Sequence, residues 1–242
     1  MQYTSLMVCF AMHSKGAAES ILALHDRFGT EWFPATTGFL IVRSLFEIDV
    51  TAHYITQDPR ERSRRYIDFE HVIDKNMLEA VERHRLSKER SWREGMQFEY
   101  DHHYAPRKAR IEADYERVRS IFEDTKGKRA KSWSGKSIYA MAREVNHVEA
   151  YDFFYAYLSS FAHVNVTLAD RFLRLEGLRD RKGPGWSQRA SEGDVADVFR
   201  YAAIFLSCFL EVFGREFKAW DQSSIEACWD FPEAVGRKRD DK

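Results

Sequence analysis

Chain breakers are scarce: 5 prolines and 12 glycines are spread over 242 residues. So few breakers leave few places to turn and favour long helices over short strands. Cysteine is scarce too, with Cys9, Cys208 and Cys228 widely spaced. Cys9 and Cys208 sit inside apolar runs, which reads as free thiols in a reducing compartment and excludes a disulfide framework or a metal knuckle. Charge of one sign is lacking: 37 Lys and Arg against 38 Asp and Glu give a formal net charge of -1. Bulk charge therefore exerts no pull toward nucleic acid or anionic membrane. Long hydrophobic runs are missing as well. The greasiest, Tyr201 to Leu210, is bounded by Arg200 and Glu211, whereas a bilayer span needs about 20 apolar residues. The segment from Met1 to His13 has no basic n-region and makes a poor signal peptide. A cytoplasmic protein with no membrane partner is expected. There is no strand alternation, no internal repeat and no Gly-rich phosphate loop.

Aromatic area is abundant, with 18 Phe, 11 Tyr and 6 Trp, enough for a sizeable core. Leu6, Cys9, Phe10, His13, Ala17, Ser20, Ile21 and Leu24 recur at helical spacing from Ser5 to Phe28, and Gly29 closes that helix. Thr30 is expected to cap a second helix that runs to about Gln57, where Asp58-Pro59 stops it and restarts the next. A long helix from Arg60 to about Lys88 has a narrow apolar stripe of Tyr66, Phe69, Val72, Ile73, Met77, Leu78 and Val81. Pro106 opens another charged helix, to about Glu123. The very polar Asp124 to Ser132 reads as a solvated loop. Ser134 is expected to cap a helix after Trp133, with a break near Asn146-His147 before an aromatic-rich helix to about Glu176. Ser191 with Asp194 forms a capping box for a last, central helix. The pattern predicts a single all-α domain over 1–220, a bundle of about six to seven helices, with 60–125 as a long charged helical hairpin and 221–242 as a tail. Narrow stripes on long helices need a partner, so a homodimer through the 60–125 helices is expected.

Three short motifs, Arg43-Ser-Leu-Phe-Glu47, Tyr54-Ile-Thr-Gln-Asp-Pro59 and Tyr66-Ile-Asp-Phe69, resemble an uncharacterised bacterial all-helical family of unknown function. Tyr157-Leu-Ser-Ser-Phe-Ala-His163 resembles a second signature of that family. The likeness runs over roughly residues 15 to 215 as scattered motifs. It implies a helical fold with a polar cluster of Arg, Glu and His. A looser resemblance is to the HEPN superfamily of helical ribonucleases and toxins, many of them in antiphage defence. Their Arg-then-His pattern is met by Arg65-Tyr-Ile-Asp-Phe-Glu-His71, and Tyr66 stands where that pattern usually has a polar residue.

The second helix carries Arg43, Glu47, Asp49 and His53 in an otherwise greasy run. Arg43 and Glu47 are four apart and can pair on one face. A buried Arg needs such a carboxylate, because an unpaired buried charge is very costly. Imidazole titrates near neutral pH, so His163 can act as general acid or base. The expected site is therefore Arg43, Glu47 and His163 as catalytic residues, with Ser160, Asn165 and His53 contacting substrate. It would cleave a phosphodiester, with RNA as partner and with no metal or cofactor. The competing expectation is a non-catalytic helical module in which the same residues form a structural network. Glu99, Asp101, His102 and His103 read as a surface cluster. Glu144 with His147, and Glu99 with His102, match the Glu-x-x-His spacing of di-metal bundles.

Overall fold

The computed structural model describes residues 2–162, 191–218 and 223. Among them the fold is all-α, and the only extended pairing is an isolated bridge between Glu123 and Arg129. The chain divides into two compact units, Met1–Asp58 with Ile138–Lys242, and Pro59–Ser137.

In the first unit, α1 (Gln2–Phe28) leads through a turn into α2 (Ala35–Thr56). After the second unit come α6 (Ile138–Glu144), the single turn α7 (Val148–Ala150), a π-helical turn (Tyr151–Tyr155), α8 (Ala156–Ala162) and α9 (Glu192–Phe217). The sequence explains why α2 sits at the centre. Phe39, Val42, Leu45, Phe46, Val50, Ala52 and Ile55 are buried and occupy most of its circumference, as in a helix wrapped on all sides. It packs against α1, α6, α8 and α9. Gly38 allows α9 to approach closely. A Cβ there would lie 2.9 Å from both Phe33 Cε1 and Val198 Cγ1, so a larger residue would push α9 away. The capping box on α9 forms as expected, Ser191 Oγ accepting from the Asp194 amide and the Asp194 side chain returning to the Ser191 amide.

Two local expectations differ. Thr30 does not cap α2. Residues 29–32 form a turn, and the helix starts at Ala35 after Pro34, whose carbonyl accepts from the Gly38 amide at 3.0 Å. Proline's fixed φ makes it a ready entry to a helix. On α1, Cys9 is exposed, while Met7 and Ser14 join Leu6, Phe10, Ala17 and Ile21 on the buried face.

The second unit contains α3 (Pro59–His84), α4 (Arg90–Glu99), a π-helical turn (Tyr100–Tyr104), a short 3-10 turn (Ala105–Arg107) and α5 (Lys108–Phe122). Val72, Tyr115, Val118 and Phe122 form its core, with Phe69, Ile121 and Ala130 against them. Ile73 and Met77 of the expected stripe are instead exposed. Each stands about 100° from a buried neighbour, so a narrow stripe cannot bury both. Residues 123–132 are fastened down. Arg129 forks onto Glu79 with two bonds of 2.7 Å, and its Nε donates to Tyr115 Oη at 2.9 Å. Asp124 Oδ1 accepts from the Lys126 and Lys128 amides, each at 2.9 Å. Ser134 caps only a turn. Its Oγ accepts from the Lys136 amide, Gly135 follows with φ 70°, and α6 waits until Ile138.

Candidate functional site

Two polar clusters lie on α2. At about 100° per residue, the pair Arg43/Glu47 and the pair Asp49/His53 stand about 120° apart around the helix, with Phe46 and Val50 between them. Phe46 is fully buried and packs against Tyr151, Tyr155 and Phe205 at centroid distances of 6.4, 5.5 and 5.1 Å.

The first cluster is a closed triangle. Arg43 Nε donates to Glu47 Oε1 at 3.0 Å, Arg43 Nη2 donates to Tyr155 Oη at 3.0 Å, and Tyr155 Oη donates to Glu47 Oε1 at 3.0 Å. The expected pairing of Arg43 with Glu47 is present, and Tyr155 is its third member. In the sequence Tyr155 is one of a run of aromatic residues with no motif of its own. The π-helical turn brings it here, and it stacks on Tyr151 at 4.7 Å. Burial works against the Arg43 charge, but the Tyr155 and Glu47 oxygens outweigh it and raise the guanidinium pKa. Burial, reinforced by the Glu47 carboxylate, pushes the Tyr155 phenol up.

The second cluster centres on Asp49, the most deeply buried acid described, at 1% exposure. His53 Nδ1 lies 3.0 Å from Asp49 Oδ1, and His147 Nδ1 lies 3.2 Å from Asp49 Oδ2. The two imidazoles meet edge to face at 4.6 Å. Their side chains are 24% and 23% exposed, so a buried carboxylate sits beneath two half-open rings. His147 is delivered by the break at the end of α6. Asn146 turns left-handed at φ 59°, and the His147 amide reaches back to the Ala142 carbonyl at 2.7 Å. Asparagine tolerates that conformation better than most residues. Gln57 then clasps the break to the end of α2 by donating to the Glu144 carbonyl at 3.1 Å.

Burial by itself would raise the Asp49 pKa, but the His147 and His53 imidazoles outweigh it and hold the carboxyl below its usual range. For His53, burial opposes protonation and Asp49 overcomes it, so the imidazole pKa is raised. Cys208 is close enough to feel Asp49 and Glu211. Burial together with those charges pushes its thiol far up, which makes it a poor nucleophile. The atoms of Asp49, His53 and His147 lie within 4.8 Å of one another, a set able to hold a metal ion.

His53, expected to contact substrate, is thus brought to Asp49 and His147 rather than to Arg43. His163 and Asn165 lie outside the described residues, as do the side chain of Ser160, the segment 177–190, Cys228 and most of the tail. Arg65 and His71 take separate partners. Arg65 is half-buried rather than on a solvated face, donating to the Trp133 carbonyl at 2.7 Å, while His71 meets Arg117 Nη2 at 2.9 Å. Six residues of helix place the two side chains on different sides. His102 stacks on Phe98 at 4.0 Å, and Asp101 accepts from Gln97.

The chain belongs to a family of unknown function, DUF5677, which matches residues 7–181. That is more than half the chain, and it begins and ends earlier than the motifs suggested. No curated protein and no solved structure matches. Among the described residues, no helix of this family member is long and apolar enough to cross a membrane.

Proposed function

We propose that the first unit is an acid–base centre that cleaves RNA without a metal, using His53 and His147 on the shared carboxylate of Asp49. The observation that carries this is the pair of half-open imidazoles held by one buried acid. Each ring turns Nδ1 toward Asp49, and in this proposal Nε2 is the atom that meets the reacting group. Such a carboxylate fixes the tautomer and orientation of an imidazole, as in other His–Asp arrangements.

The choice of RNA follows from the missing nucleophile. Cys208, the one thiol near the cluster among the described residues, is held protonated, so the substrate should bring its own. RNA does, as its 2′-hydroxyl. His147 takes that proton, the 2′-oxygen attacks phosphorus, the bond to the 5′-oxygen breaks, and His53 gives its proton to the departing oxygen. The products are a 2′,3′-cyclic phosphate and a 5′-hydroxyl. A positioned acid or base contributes about 10²–10⁴-fold. EDTA-treated protein should therefore cut RNA but not its 2′-deoxy counterpart, and His53→Ala and His147→Ala should each lower the rate by about that factor. Equal cleavage of DNA, or full activity in both variants, would reject the reading. His163→Ala in the same assay tests whether the base is His163; a loss matching that of His147→Ala would place His163 in the reaction as well.

A second reading applies to the other cluster, because the Arg43–Glu47–Tyr155 triangle is hydrogen-bonded on itself. It supports a structural role for Arg43 and Glu47, tying α2 to the π-helical turn. Arg43→Met should lower the melting temperature and leave kcat within a few-fold. The proposal also includes a cytoplasmic setting, a role in antiphage defence, and a homodimer through the 60–125 helices, where Ile73 and Met77 are exposed. Sedimentation of wild type against Ile73→Glu checks the dimer.

A further inference from the structure

We infer that Asp49, His53 and His147 form a three-ligand site for a divalent transition-metal cation of the zinc class. This goes beyond the acid–base reading and does not depend on it.

The starting point is an oxygen left without a hydrogen bond. Asp49 Oδ1 is fully buried and accepts none, although His53 Nδ1 is only 3.0 Å away. The His53 ring nitrogen is equally close, at 3.0 Å, to the Asp49 main-chain carbonyl, so the two oxygens compete for it. A buried carboxylate oxygen without a hydrogen bond is costly. A cation shared by the three side chains would remove that cost.

The spacing suits an ion. Zinc bonds to nitrogen and oxygen of about 2.0–2.2 Å in a tetrahedron put neighbouring ligand atoms about 3.3–3.5 Å apart. Here one ligand atom from each of the three side chains lies within 4.8 Å of the other two, with His53 facing Asp49 Oδ1 at 3.0 Å and His147 facing Asp49 Oδ2 at 3.2 Å, so modest side-chain adjustments would bring all three onto one ion. Two imidazoles and one carboxylate favour zinc, cobalt, iron or nickel over magnesium and calcium, which prefer all-oxygen shells. Three protein ligands also leave a fourth position open. The scaffold is rigid where it matters: Asp49 and His53 are one turn apart on the central helix, and His147 is fixed by the left-handed Asn146 and the Gln57 clasp.

Metal binding and acid–base use compete for the same nitrogens. An ion on the two Nδ1 atoms displaces their protons and removes the pairing with Asp49. The metal-loaded form should therefore be the inactive form of the RNA-cleaving centre.

The test uses the full chain, stripped with EDTA and dialysed, then titrated with Zn²⁺ by calorimetry and with Co²⁺ by visible absorption. One equivalent per chain is expected, with the d–d band of a four-coordinate site. Asp49→Asn and His147→Gln should each weaken binding at least 10-fold, while His102→Gln, in the exposed cluster, should not. Zn²⁺ should raise the melting temperature of wild type in proportion to the logarithm of its concentration. Because Asn in place of a buried Asp can weaken the fold, the half-exposed His53→Gln and His147→Gln variants carry the same comparison. No heat and no cobalt band, or undiminished binding in the His53→Gln/His147→Gln double variant, overturns the metal site and leaves the acid–base reading standing. Binding with RNA cleavage undiminished in the zinc-loaded protein overturns the acid–base reading and leaves the metal site standing.

Discussion

The two polar clusters of α2 use similar ingredients and end differently. Arg43, Glu47 and Tyr155 close on one another through three bonds of 3.0 Å. Asp49, His53 and His147 do not close: one carboxylate oxygen stays buried without a hydrogen bond, and two imidazole rings open partly to solvent. Charge pairs that complete themselves serve packing, since nothing remains to engage a ligand. A set left incomplete at its deepest point retains free energy that an outside group can release. The difference arises from where the third member comes from. The triangle receives a phenol from a π-helical turn, whereas the second cluster receives an imidazole held by a Schellman-type turn at Asn146.

The largest effect is expected where the two clusters share support. Phe46 lies between them and packs on Tyr155 and Phe205. Phe46→Ala should cost about 3–5 kcal/mol in chemical denaturation, as other buried aromatic truncations do. It should also disturb both clusters, measured as lost Tyr155 hydrogen bonding and lost metal affinity together. A cost under about 1 kcal/mol would mean that the two clusters do not rest on this ring. Next comes Asp49→Asn, which should destabilise by about 1.5–3 kcal/mol through lost charged contacts with the two imidazoles and leave the triangle intact. Tyr155→Phe should cost less, about 0.5–1.5 kcal/mol, and leave metal affinity and RNA cleavage unchanged. Clusters without common partners should also behave additively. The Asp49→Asn/Tyr155→Phe double variant is expected within about 0.5 kcal/mol of the sum of the singles. A larger coupling would merge the two clusters into one network.

Much of this was legible in the residues, and the remainder has physical reasons. The all-α class and the capping box at Ser191 followed from breaker positions and helical period. So did the break at Asn146-His147 and the Arg43–Glu47 pair, because each is a local pattern. The i,i+4 pair of Asp49 and His53 was equally visible, yet only His53 was given a role there. The meeting of His53 with His147 joins positions 94 apart, and no spacing rule reaches that far. His147 stood out only through its Glu-x-x-His spacing from Glu144, whose main chain rather than side chain turned out to hold the break. Tyr155 was missed for a different reason. In an aromatic run, spacing at 3.6 residues per turn misplaces side chains once a π-helical turn shifts the register. The fastening of residues 123–132 was hidden in the same way, since Arg129 finds Glu79 only through the chain reversal.

The smallest effect concerns pH, and the open cluster alone should produce it near neutrality. His53 faces Asp49 on its own helix, His147 from the α6–α7 break and Glu211 from α9. Its pKa is raised above the ordinary 6.5, so its contribution to stability is fully present below about that value and is lost as pH rises through the raised one. Asp49 is lowered below its ordinary 3.8, so its contribution is present above that value and is lost as pH falls through the lowered one. Metal-free wild type should therefore be most stable, relative to His53→Gln, on the mildly acidic side of neutrality. The difference should shrink toward pH 9. Thermal unfolding of both proteins across pH 5–9 in EDTA reads it directly. A gap that widened with rising pH would mean that Asp49 does not support the protonated ring, and the contrast between the clusters would lose its electrostatic basis.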